Sequence, residues 1–105
     1  NYPWFILVPR VPAVVDVYQL SESVQIQYLI ESSQLSKILM ELYQGKKMNI
    51  AALGNMCPQL HIHHIVRFEN DIAWPNPVWG AFPAKPYSDD EITEIKKTVL
   101  KLLSD

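Results

Sequence analysis

Gln59-Leu60-His61-Ile62-His63-His64-Ile65-Val66-Arg67 holds all three histidines of the chain within four residues. Polar and apolar residues alternate through this stretch with a period of two, the pattern of a β-strand. On a strand, Gln59, His61, His63 and Ile65 share one face, and Leu60, Ile62, His64 and Val66 share the other. The polar groups of the first face then stand about 6.6 Å apart along the strand. A buried sheet gains no stability from two imidazoles on one face, so the stretch reads as a site. His64, on the apolar side, reads instead as a hydrogen-bonded packing residue. Two other readings of His61 and His63 stay open from the residues alone. They are solvated surface side chains, or a metal pair whose remaining ligands come from elsewhere. Ligands for the second reading are scarce, because the chain has one cysteine, Cys57, and no histidine outside the cluster.

Composition bounds what surrounds the stretch. A chain of 105 residues makes one domain with a single core. The 49% hydrophobic and 19% charged content describes a globular protein rather than a disordered one. Net charge is −2, and no run of lysine or arginine occurs, which argues against a long nucleic acid as partner. One cysteine cannot form an internal disulfide, as expected of a reducing, cytoplasmic setting. No apolar run approaches the roughly 20 residues of a membrane span, so no membrane partner is expected. The chain opens at Asn1 without a methionine and runs directly into a strand, which leads us to expect a segment upstream.

Moving outward from the histidines, Met48–Leu53 reads as the preceding strand, closed by the turn pair Gly54-Asn55. Asn55 there is an ordinary candidate for a left-handed turn residue. Cys57 reads as packing, since no base is placed beside it. Further upstream, Ser21 is an N-cap and Gly45 a C′ residue, predicting a helix over 21–44. Its apolar positions Val24, Tyr28, Leu35, Leu39 and Leu42 are widened by Ile26, Leu29, Ile30 and Ile38, more than one sheet face can cover. Trp4-Phe5-Ile6-Leu7-Val8, closed by Pro9, reads as a central strand buried on both faces. Downstream, Asp71–Gly80 is too rich in proline for regular structure, and Pro83 and Pro86 extend the loop. Trp74 and Trp79 require it to fold back over something apolar. Ser88 and Glu91 form a capping box, opening a terminal helix with Ile92, Ile95, Val99 and Leu102 on one face.

The histidine stretch resembles the signature of the histidine triad superfamily, in which three histidines alternate with apolar residues along a strand. His61 and His63 match the second and third members, Gln59 stands in place of the first, and Val66 stands where a proline is common. Trp4–Arg10 is similar to the family's strand of apolar residues followed by proline and a basic residue. Many members carry a histidine where this chain has Trp4, here a packing residue or a pocket wall. Asn49 and Asn55 match positions that contact the phosphate or ribose of a nucleotide. The Trp-Pro tail resembles the segment that reaches towards the active site in the nucleotide-binding branch.

The resemblance implies an α+β fold over residues 1–105, with an antiparallel sheet, one long helix and a C-terminal helix. It implies a homodimer that binds a purine nucleotide or nucleotide conjugate. The implied activity is hydrolysis or nucleotidyl transfer at the α-phosphorus of a nucleoside phosphoramidate, dinucleoside polyphosphate or similar ester. His61 would be the nucleophile and form a nucleotidyl-histidine, and His63 would donate to the phosphate oxygens. Asn49, Asn55 and His63 would bind the nucleotide, without metal or cofactor. Gln59 offers only a neutral donor where the triad has an imidazole, so weakened catalysis is expected. A nucleotide-binding module without turnover and a His61/His63 metal scaffold are the alternatives.

Overall fold

The computed structural model describes residues 2–55, 58–80 and 87–104. Strand β1 (Trp4–Leu7) leads through a 3-10 turn at Val17–Gln19 into helix α1 (Glu22–Tyr43). Strands β2 (Lys47–Ala52) and β3 (Ile62–Arg67) follow, and helix α2 (Asp89–Ser104) ends the described chain. The three strands form one antiparallel sheet in the order β1-β3-β2.

The α+β expectation holds. Among the described residues the histidine strand β3 lies between β1 and β2 and pairs with both. All six residues of β3 are buried, whereas Ile6 on β1 is 53% exposed. An unbroken apolar run marks burial but cannot say how many ladders a strand joins. The regular part of β3 also begins at Ile62, so Gln59, Leu60 and His61 precede the ladder.

The register divides the sheet into two faces. On one, Phe5 and Leu7 of β1, Met48 of β2 and Val66 of β3 pack against Leu35 and Leu39 of α1. Val99 and Ile95 of α2 close the same cluster. A second cluster joins Leu60 and Ile62 to Val14 and Leu20, with Val24 and Tyr28 of α1 against it. The helices therefore cover the face that carries His64. The opposite face carries Trp4 and Ile6, Asn49 and Ala51, His63, Ile65 and Arg67.

Both helix starts follow the sequence. Ser21 Oγ accepts from the Val24 N–H at 3.4 Å, and Ser88 and Glu91 bond reciprocally, at 3.0 and 3.2 Å. The end of α1 differs. Gln44, not Gly45, holds the left-handed conformation, with φ 54° and ψ 47°. Gly45 is required for space: a Cβ there would run into Val66 Cγ1 and lie 2.9 Å from Met40 Sδ. Likewise Gly54 carries the positive φ of its turn, 73°, and Asn55 does not.

Candidate functional site

Each imidazole on β3 is oriented by a different neighbour. His61 lies just before the ladder, half-buried, and its Nδ1–H donates to the Gln59 carbonyl oxygen at 2.7 Å. A carbonyl only accepts, so Nδ1 carries a proton, and in the neutral ring the lone pair is on Nε2. His63 sits between Ile6 and Ala51 across the two ladders and is 9% exposed. The indole N–H of Trp4 reaches its Nδ1 at 2.8 Å. Its ring centroid is 5.1 Å from that of His61 and 5.7 Å from that of Trp79. Burial, reinforced by the neighbouring His61 and His64, holds the His63 pKa below the ordinary imidazole value.

His64 is fully buried on the helix face, as expected of a packing residue. Its Nδ1–H donates to the Ile62 carbonyl at 3.1 Å, so Nε2 accepts from the Ser32 hydroxyl at 2.7 Å. Burial lowers its pKa, partly offset by the bond to Ile62. Both polar atoms of this ring are satisfied inside the core, which is the condition for keeping a histidine there.

The other singled-out residues are placed unequally. Gln59 uses its side-chain amide to donate to the Val11 carbonyl at 3.3 Å, and its backbone carbonyl holds His61. Asn49 lies opposite Ile65 on the histidine face, and its Oδ1 accepts from Arg67 Nη1 at 2.8 Å. That contact orients the amide and leaves its NH2 group as the donor available to a ligand. Asn55 is exposed in the turn after β2 and is bonded to none of the described residues. Cys57 and the Pro83–Pro86 loop lie outside the described residues. Among the described residues, no three of His, Cys, Asp and Glu come close enough to hold a metal ion.

An unanticipated cluster supports the site from the end of β3. Arg67 is 1% exposed and donates to both Asp71 oxygens, at 2.8 and 3.0 Å, and to the Asn76 carbonyl at 2.8 Å. Tyr2 and Trp74 lie against its guanidinium, 5.4 and 5.7 Å from their ring centroids. Asp71 also accepts the backbone N–H groups of Phe68, Ala73 and Trp74. The guanidinium, with those amides behind it, pulls the Asp71 pKa down to about 2. This knot fixes the tryptophan-rich turn that brings Trp79 onto His63. Trp74 and Trp79 do fold back, as their apolar area requires. In sequence, Arg67 and Asp71 carry only an i,i+4 spacing of opposite charges, and nothing marks Ser32 as a partner of His64.

The family model of the HIT domain matches residues 1–70. A histidine triad protein from Marinobacter aquaeolei VT8 superposes with a TM-score of 0.93 at 51% identity, over 98% of this chain and 75% of that one. Histidine triad proteins from Bradyrhizobium japonicum and Sinorhizobium meliloti 1021 are 42% and 35% identical, with TM-scores of 0.90 and 0.91. Each match covers 95% of this chain, and 75% and 74% of those chains respectively. No curated protein matches the chain.

Proposed function

Because the chain belongs to the histidine triad family, we propose that it binds a purine nucleotide or nucleotide conjugate and cleaves it at the α-phosphorus. The observation that carries this is the bond from His61 Nδ1–H to the Gln59 carbonyl, which orients the ring and, in its neutral form, puts the nucleophilic lone pair on Nε2. In the proposed step, the Nε2 lone pair forms a bond to phosphorus. The bond from phosphorus to the leaving amine, phosphate or ester oxygen breaks, its electron pair departs with that group, and a leaving amine or alcohol takes up a proton from water. The ring is then a cation whose Nδ1–H still points at a carbonyl, an arrangement that favours the charge. Water attacks the phosphorus next, and the phosphorus–Nε2 bond breaks with its electron pair returning to the ring. The attacking water gives up a proton to solvent, leaving a neutral imidazole and a nucleoside monophosphate.

His63 and the Asn49 amide are the proposed donors to the phosphate oxygens and ribose as charge builds. Asn55 is assigned a ribose or phosphate contact from the turn, and Asn55→Ala tests it through KM. A homodimer is part of the proposal, formed through exposed apolar residues of α1. The substrates that fit are a nucleoside phosphoramidate, a dinucleoside polyphosphate or a similar ester.

The test is turnover of adenosine and guanosine phosphoramidates and dinucleotides, with thermal shift alongside. Acid-free quenching and mass spectrometry should place the nucleotidyl mass on the peptide containing His61, and His61→Ala should remove both adduct and product. Normal turnover by His61→Ala would discard the mechanism. A second reading, nucleotide binding without turnover, is favoured by the Gln59 amide, which donates to Val11 rather than standing ready for a phosphate. Ligand-dependent stabilisation without product would support it.

A further inference from the structure

The three imidazoles do not share one hydrogen-bonding pattern. His61 and His64 each donate from Nδ1 to the carbonyl two residues back. His63 instead meets an indole, with Trp4 Nε1 2.8 Å from its Nδ1. An indole N–H donates and has no acceptor function, so Nδ1 of His63 must hold the lone pair. The proton of the neutral ring then sits on Nε2. We propose that Trp4 is a positioning residue that locks His63 in the Nε2–H tautomer, so that His63 offers a ligand an N–H donor while neighbouring His61 offers a lone pair.

The residues around Trp4 make this lock a fixed one. Its backbone lies in the ladder opposite Ile65, and its N–H donates to the Tyr87 hydroxyl at 3.2 Å. That hydroxyl in turn donates to the Tyr2 carbonyl at 3.2 Å. The Trp4 ring meets Trp79 edge-on, with centroids 6.0 Å apart and planes at 82°. His63 lies against both indoles, its centroid 5.6 Å from Trp4 and 5.7 Å from Trp79. A rotation of the imidazole would abandon the indole partner of Nδ1 and leave that nitrogen unsatisfied in a mostly apolar bracket.

The same contact opposes protonation of His63. A proton on Nδ1 would set N–H against N–H, and burial and the neighbouring histidines act in the same direction. Among the described residues, the side chains facing the ring are Trp4 and Ile6 from β1, Ala51 from β2, Trp79 from the following turn and His61 from its own strand, while His64 acts on it electrostatically from the other face of the sheet. Of these, the two histidines alone titrate. Arg67, four residues along the same face, is paired with Asp71. The use of the Nε2–H donor rests on the function proposed above; the tautomer itself does not.

The experiment is nitrogen-15 NMR of histidine-labelled protein, followed by Trp4→Phe, which keeps an aromatic wall and removes the N–H. In the native protein at pH 7, His63 should show a protonated Nε2 and bare Nδ1, with His61 and His64 the reverse. In Trp4→Phe the His63 titration midpoint should rise by about half a pH unit or more, roughly a threefold gain in proton affinity. The acid limb of the pH–activity profile on a phosphoramidate should move with it, and kcat should fall more than KM rises. A native His63 protonated on Nδ1, or a midpoint and profile unmoved in Trp4→Phe, would overturn the proposal. The expected tautomers in a protein that turns over no nucleotide would support the lock and defeat the enzymatic reading.

Discussion

Ser32 and His64 show what a single buried polar contact is worth in this protein. Both are almost completely buried, and the serine hydroxyl is the donor for His64 Nε2. Ser32→Ala leaves an imidazole nitrogen desolvated and unsatisfied, which should cost about 1–3 kcal/mol in a urea titration. Turnover per folded molecule should be unchanged, because this bond lies on the helix face of the sheet. Gln59 calls for the opposite measurement. The family pattern has a histidine there, and a charged donor is roughly twice as strong as a neutral amide. Gln59→His should raise kcat by about tenfold with KM nearly constant, the signature of an interaction made in the transition state. The bond to His61 comes from the backbone carbonyl of residue 59, so the substitution preserves the nucleophile's tautomer while giving up the tie to Val11.

The connection after β3 is the element on which the site depends most and which regular structure explains least. Its backbone is organised by Asp71, whose two oxygens accept from Arg67 and from three peptide N–H groups. Folding lowers the Asp71 pKa from 3.8 to about 2, so the ionised form is the one the native state favours. The resulting stability, about 2 kcal/mol, is complete above pH 4 and is lost as pH falls from there towards 2. Thermal melts across this window should show the loss, and Asp71→Asn should be less stable at pH 7 and nearly insensitive to the same change. Removing one partner of a buried pair costs about 3–5 kcal/mol, so Asp71→Ala should also release Trp79 from His63 and reduce turnover. At the end of α1, Gly45→Ala should cost about 1–3 kcal/mol through overpacking against Val66 and Met40.

At the scale of the whole molecule, both helices lie on one face of a three-stranded sheet, and one side of α1 stays uncovered. Ile26, Leu29 and Ile30 are 55%, 62% and 53% exposed, an apolar strip of the kind that marks an interaction surface. Light scattering at micromolar concentration should give twice the 12.1 kDa chain mass, and Leu29→Lys should shift the population towards monomer. A single-chain mass for the native protein would count decisively against the dimer. No helix among the described residues is long and apolar enough to cross a membrane.

Residue order alone determined the features that depend on local periodicity and local chemistry. The alternation in the histidine stretch decided that His63 and His64 lie on opposite faces, and Ser21 and the Ser88/Glu91 pair decided where the helices start. A side-chain period and a capping bond involve residues a few positions apart, so a linear chain displays them directly. Position within the sheet is a different matter. The run Trp4–Val8 is apolar enough for a central strand, but only the long-range pairing puts β3 between β1 and β2. The partners of the imidazoles are likewise tertiary. Ser32 is 32 positions from His64 and Trp4 is 59 from His63, separations across which sequence carries no signal of contact. Arg67 and Asp71 are near neighbours, yet burial turned an ordinary i,i+4 charge pair into the knot that holds the tryptophan turn. The sequence thus determined which residues could do chemistry; the tertiary contacts decided which ring nitrogen of each histidine is free to do it, because a tautomer is set by the partner brought to the opposite nitrogen.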